Sequence, residues 1–265
     1  MRWSSNAEAL VLLGPAALGG ACSPGSRAAG AEAPAVWRDA DPAEWREVAR
    51  ALEVERLLRP TVPWAAGVRV VLHEPRSGRD VDGRGAIAVA PGRALRMILI
   101  GAAGATLLDA WVTPERWRIA VPPADVVRHG GRDEPGDLPV GFLRWTFFRP
   151  LEGTLTAGAL RPAPLFLLRD GDARIEVRLS TCDRGKLTRI SRRVRGRTER
   201  VDDCRAAAGP SPGDWARYAD ETSGLRMELA IESAAPAPPD ERGFDDPEAG
   251  RSDAAAPAPG ARARP

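Results

Sequence analysis

Alternation of apolar and polar residues with a period of two constrains this chain more than any other feature. In Leu225-Arg-Met-Glu-Leu-Ala-Ile-Glu232, four apolar residues fall on one side and mostly charge on the other. A helix, which repeats every ~3.6 residues, cannot use such a pattern, whereas a half-buried strand requires it. The pattern recurs. Val68, Val70 and Leu72 alternate with Arg69, Val71 and His73, and Ile87 and Val89 sit among small residues. Leu95 to Ile100 is apolar except at Arg96, and Thr106 to Val112 follows a hairpin-like Gly101-Ala-Ala-Gly104. Trp117, Ile119 and Val121 continue the series, as do Ile175, Val177 and Leu179. Strands at this spacing, with turn residues between them, predict a curved antiparallel sheet or half-barrel. One face of each strand is apolar, so helices or a ligand must cover it.

The helix supply is small. Asp39 or Asp41 can cap a helix in which Pro42 takes the first position and Glu44 complements the N-terminal dipole. Trp45, Val48, Ala49 and Leu52 form its apolar stripe, and Pro60 and Pro63 end it. The second candidate is Gly141-Phe-Leu-Arg-Trp-Thr-Phe-Phe148, a helical plug or lid that holds most of the chain's aromatic bulk. The fold class is therefore mainly β with α, an α+β sheet wrapping one to three helices.

The termini read differently. Residues 9–21 run uncharged into Cys22, a length that suits a signal peptide and falls short of a bilayer span. Residues 1–21 are expected to be a signal peptide, with lipidation at Cys22 as in the lipobox of bacterial lipoproteins. Residues 22–36 then form a flexible tether of small residues. Cleavage near Ala31 is the other outcome. Residues 234–265 hold ten Ala and seven Pro, and Phe244 is their one large apolar group, so a disordered tail is expected. The folded body is then 37–233. Cys182 and Cys204 remain as an even pair, and an oxidising compartment favours a disulfide between them.

Taken in order, the lipobox-like segment, the first helix, Gly83 to Arg96, Gly101 to Gly104, Thr106 to Val112, Trp117 to Pro122 and the Leu225–Ile231 strand after Tyr218-x-Asp220 resemble the LolA/LolB-like lipoprotein-carrier superfamily. The resemblance covers roughly residues 40–232. It implies a half-closed antiparallel sheet around an apolar cavity that holds acyl chains.

Catalytic chemistry finds little support. The chain has no H-E-x-x-H, C-x-x-C or P-loop. His73 and His129 read as surface or packed histidines. Asp202-Asp203 and Asp245-Asp246 read as solvated pairs, and Asp80-x-Asp82-Gly83 lacks the remaining ligands of a calcium loop. No enzyme activity, cofactor or metal is expected. A net charge of +2 argues against a nucleic-acid protein defined by bulk charge, and no aromatics interleave the basic run 184–205 for stacking. That run reads as a charged two-stranded face turning at Gly196, or as an anionic-lipid contact through Arg189, Arg192, Arg193, Arg195 and Arg197. Trp111, Trp117, Phe142, Trp145 and Phe148 read as core, or as the wall of an acyl-chain cavity.

The expected function is that of an exported envelope lipoprotein, lipid-anchored at the outer membrane and facing the periplasm. Its sheet cavity would bind an acyl chain or a lipidated partner. The alternative is a structural or protein-interaction lipoprotein with a filled core, and a hydrolase comes third.

Overall fold

A computed structural model describes residues 36–37, 41–75, 78–101, 104–131, 140–148, 151–207, 209–235 and 239–247. The expectations for the signal peptide, Cys22 and the tether up to residue 35 lie outside these residues. Among the described residues, fourteen strands form one curved, unclosed antiparallel sheet. They are β1 (Val36–Trp37), β2 (Trp64–Glu74), β3 (Arg79–Ala90), β4 (Ala94–Ile100), β5 (Thr106–Val112), β6 (Arg116–Val121) and β7 (Val126–Gly131). The second series is β8 (Thr154–Ala159), β9 (Leu165–Asp170), β10 (Ala173–Cys182), β11 (Gly185–Val194), β12 (Arg197–Arg205), β13 (Trp215–Asp220) and β14 (Arg226–Ala234).

Neighbours in sequence are neighbours in the sheet, with two exceptions. β1 pairs with β8, and β14 pairs with β2, which seams the late strands to the early ones through partners such as Leu229 and Val70. The strands expected from alternation are all present. The inner face carries Val68, Val70, Ile87, Val89, Leu95, Met97, Ile119, Val177 and Leu229, each nearly inaccessible. Residues one step out of phase face outward, as the pleat requires, and are small or charged apart from Val71 and Ile98.

Helix α1 (Pro42–Leu57) starts where Asp41 accepts a hydrogen bond from Ala43 N at 2.7 Å. It buries Val48 and Leu52 on the inner face. Gly158 of β8 makes this docking possible, because a Cβ there would collide with Val48 Cγ1. Cys182 and Cys204 are joined by a disulfide with Cα atoms 6.2 Å apart. Closing a loop of that sequence separation restricts the unfolded chain by about 3 kcal/mol on the entropy model.

Part of the expected disordered tail is ordered. β14 runs on to Ala234, and a 3-10 turn at Glu241–Phe244 buries Phe244 on the outer face against Ala90 and Ala94. Asp240 caps that turn through Arg242 N at 3.0 Å. Composition hid this strap because one anchored phenylalanine is enough to hold it.

Candidate functional site

The inner face is filled by a plug. Val140–Leu143 forms one α-helical turn, α2, and Arg144–Phe148 continues as a π turn. Val140 and residues 142–148 are all buried, so this short helix is surrounded on every side, and its sequence shows no amphipathic stripe. Phe142 and Phe147 meet edge to face at 5.7 Å, and Phe147 meets Trp64 at 5.9 Å. Phe142 also packs on Tyr218 at 6.0 Å. Single π turns are frequent at functional sites, since the wider turn re-aims side chains.

A charged cluster holds the plug to β11, β12 and β13. Tyr218 donates to Glu199 Oε1 at 2.8 Å, and Arg192 approaches Glu199 Oε2 at 3.4 Å. Arg197 bridges Glu199 at 3.4 Å and Asp220 at 2.8 Å. Arg192 also lies over the Trp145 ring at 4.8 Å, so one cation joins the cluster to the plug. Gly141 sits against this cluster, where a Cβ would come within 2.5 Å of Glu199 Oε1. A second group clamps the far end of the plug. Arg205 donates to the Thr146 carbonyl at 3.0 Å and pairs with Asp203 at 2.9 Å, while Arg59 reaches Asp203 at 3.0 Å.

Electrostatics follow from this burial. Burial first, and then the Glu199 carboxylate, push the Tyr218 phenol well above its usual range. It stays a neutral donor. Burial and neighbouring Arg205 lower Arg59, against the opposing pull of Asp203. Burial alone would raise Asp220. Hydrogen bonds from Ser223 Oγ and Thr222 N, with Arg197 nearby, outweigh it and hold the carboxyl below its ordinary value. A depressed carboxyl contributes stability above its unfolded pKa of about 4, and that contribution fades as pH falls through the lower folded value. Asp220→Asn should therefore weaken the fold at neutral pH, with the difference from wild type shrinking below about pH 4. Denaturant titrations across that window check it.

The structure sorts the sequence candidates. Trp117, Phe142, Trp145 and Phe148 converge in the inner core. Trp111 does not join them, which corrects its reading as cavity wall. The pleat turns Ala110 and Val112 inward and Trp111 outward. There its Nε1 donates to the Phe244 carbonyl at 2.9 Å, and Arg116 lies 5.0 Å from its ring. Trp117 Nε1 is buried with no hydrogen-bond partner among the described residues.

The basic run is likewise divided. Arg192 and Arg197 point inward into the cluster already described, which corrects their reading as headgroup contacts. Arg189 faces outward and forms a two-point pair with Asp202 at 2.7 and 2.9 Å. Arg195 lies at the β11–β12 turn with Asp172 at 3.3 Å, and Arg193 is exposed on the outer face. Lysine Lys186 pairs with Glu55 of α1. Sequence reasoning missed Glu199, Tyr218 and Asp220. Their signal was charge on the apolar phase of β12 and β13, where alternation calls for hydrophobic residues.

Catalytic and metal readings gain little from the geometry. His73 Nδ1 lies 2.8 Å from Asp80, but both side chains are well exposed on the β2–β3 rung. Cys182, Asp183 and Cys204 cluster, yet both sulfurs are spent in the disulfide. No helix among the described residues is long and apolar enough to cross a membrane. Two grooves flank the plug's surroundings. One of about 210 Å³ is lined by Glu55, Arg59, Lys186, Asp203 and Arg205. Another of about 520 Å³ lies between α1 and β8, with Trp45, Leu52, Arg56 and Leu155 in its wall. Neither is lined by the plug's aromatic residues.

No protein-family model matches this chain, and no curated protein matches it by sequence. Solved structures match it by fold. A domain from Vibrio parahaemolyticus assigned to outer membrane lipoprotein sorting is 11% identical, with a TM-score of 0.50; the match covers 75% of this chain and 95% of that domain. A LolA superfamily protein from Nitrosomonas europaea is 13% identical over 75% of this chain and 97% of its own, with a TM-score of 0.43. The likeness is one of fold: the curved, unclosed antiparallel sheet is shared with the Vibrio parahaemolyticus domain.

Proposed function

We propose that this domain binds an acyl chain, or the acylated end of a lipidated partner, on the inner face of the sheet in the volume that the plug fills. One observation carries the reading. A continuous apolar sheet face is covered by the nine residues 140–148 together with Val48 and Leu52 of α1. An acyl chain can replace the aromatic side chains of the plug at little net cost, because each buried methylene returns ~0.8 kcal/mol. The buried, unpartnered Trp117 Nε1 supplies a donor for a carbonyl or carboxylate oxygen at the end of such a chain. In this reading residues 1–21 are a signal peptide, Cys22 carries the lipid anchor, 22–36 tether it, and the body at 37–233 faces the periplasm from the outer membrane. The role requires no covalent chemistry.

The test is a titration of the full chain with fatty acids of increasing length, read by tryptophan fluorescence. Saturable binding is expected. Phe148→Ala, which removes bulk from the plug within the core that also holds Trp117 and Trp145, should tighten it. No saturable response at any chain length would sink the reading, and the domain would then be a filled-core module acting through protein contacts.

A further inference from the structure

The outer face holds a row of three arginines that lacks the acids accompanying its other like-charge rungs, Arg69 opposite Arg84 and Arg178 opposite Arg189. Elsewhere on that face arginines stand opposite or diagonal to acids: Arg69 with Asp82, Arg96 with Asp109, Arg189 with Asp202, and Arg217 with Glu228. In β9, β10 and β11, Arg169 is paired with Arg174, and Arg174 with Arg193. Three exposed guanidinium groups therefore follow one another across adjacent strands, with Thr154 and Thr198 closing the rung at its two ends. At about 4.8 Å per strand the row spans roughly 10 Å, and like charges directly opposite are destabilising.

The nearby acids are committed elsewhere. Glu176 pairs with Arg178 at 2.6 Å, and Asp172 with Arg195 at 3.3 Å. Arg169 Nε donates to the Gly171 carbonyl, which steadies its side chain. Arg174 and Arg193 make no hydrogen bond or ion pair with any described residue. The three arginines stand around a groove of about 470 Å³ whose wall also includes Leu167, Ser191, Thr198 and Glu176, the last held by Arg178. A charge row that costs stability in the empty protein, set around a concave site with hydroxyl groups and an apolar side chain, is the chemistry of an anion receptor.

We infer that Arg169, Arg174 and Arg193 form a binding site for a phosphate group on the outer face, with Leu167 against the organic part of the ligand. Guanidinium forks match phosphate oxygens in pairs, and several forks in a row suit a group that presents more than one oxygen. The site is separate from the plugged inner face and stands or falls independently of acyl-chain binding.

The experiment uses the full chain with Cys22→Ser, so that no N-terminal acyl group contributes. Inorganic phosphate is titrated by calorimetry. Vesicles of phosphatidylglycerol and of phosphatidylcholine are tested by flotation. The wild-type site should bind phosphate, or the anionic vesicles in preference to the zwitterionic ones. Phosphate binding alone assigns a free anion, and vesicle binding alone assigns a lipid headgroup. The pair Arg174→Thr and Arg193→Thr should weaken whichever is seen by about tenfold or more. Threonine keeps strand propensity, and removal of a like-charge row should leave thermal stability equal or higher. Arg217→Thr, elsewhere on the same face, should change nothing. Absence of binding in both arms, equal binding to both vesicle types, or an equal loss in Arg217→Thr overturns the site. Fatty-acid binding should be the same in the double variant, which separates this result from failure of the inner-face reading.

Discussion

Glu199→Ala should destabilise the domain by about 3–5 kcal/mol, the usual cost of leaving a buried charge without its partner. Glu199 is 6% exposed and is the shared acceptor for Tyr218, Arg192 and Arg197. Its loss leaves Arg192 and Arg197 in a low-dielectric setting, with Asp220 as the remaining acid of the cluster for Arg197. Glu199→Gln should fall between wild type and alanine, since the amide oxygen can still accept from Tyr218. Urea titration measures the order. If alanine costs less than about 1 kcal/mol, as at a surface pair, the cluster is solvated and the plug is held by packing alone.

Phe142→Ala should cost a similar amount, about 3–5 kcal/mol, by a different route. Phe142 is fully inaccessible and touches both Phe147 and Tyr218 edge to face. Truncation removes its burial and leaves a cavity between plug and sheet that neither side can close without moving a ring. Phe142→Leu should recover a large part of the loss. The alanine variant gives a second readout: a small apolar molecule should bind in the new cavity and raise the unfolding temperature. A truncation without measurable cost would mean that the plug does not rest on the sheet.

The half-barrel was legible because the strands obey one rule. Leu225 to Glu232 places charge and hydrocarbon on alternate sides, and the pleat converts that spacing directly into two faces. β9 was harder to read. Leu165-Phe-Leu-Leu168 is apolar without alternation, since Leu167 turns its side chain to the outer groove while Phe166 and Leu168 face the core. β8 was silent for the opposite reason, being built of Thr, Ala and Gly apart from Leu155. The plug was visible as aromatic bulk, but its clamp was not. Glu199, Asp203 and Asp220 sit on the inner phase of their strands and become intelligible when their cations are seen to come from β11, from the same phase of β12 and from Arg59 just beyond α1. Trp111 was misplaced because residue type was followed over phase: Ala110 and Val112 already fixed which way it must point. The buried strap at Phe244 shows the same limit, since low complexity around an anchor says nothing of where the anchor lands.

The pairing of β14 with β2 carries a consequence for how the chain reaches this state. Leu229 and Val70 are partners though roughly 160 residues separate them in sequence. The hairpins from β2 to β7 and from β8 to β13 can form locally, but the sheet has no continuous centre until its last strand arrives. Non-local pairings are slow because loop closure precedes any gain from contact. Until β14 docks, β2 and β13 are open edges with apolar inner faces, the kind of surface that seeks a strand from another molecule. A chain cut short before Arg226 would therefore stop as two unsealed half-sheets prone to aggregation, with assembly of this fold deferred until β14 is present.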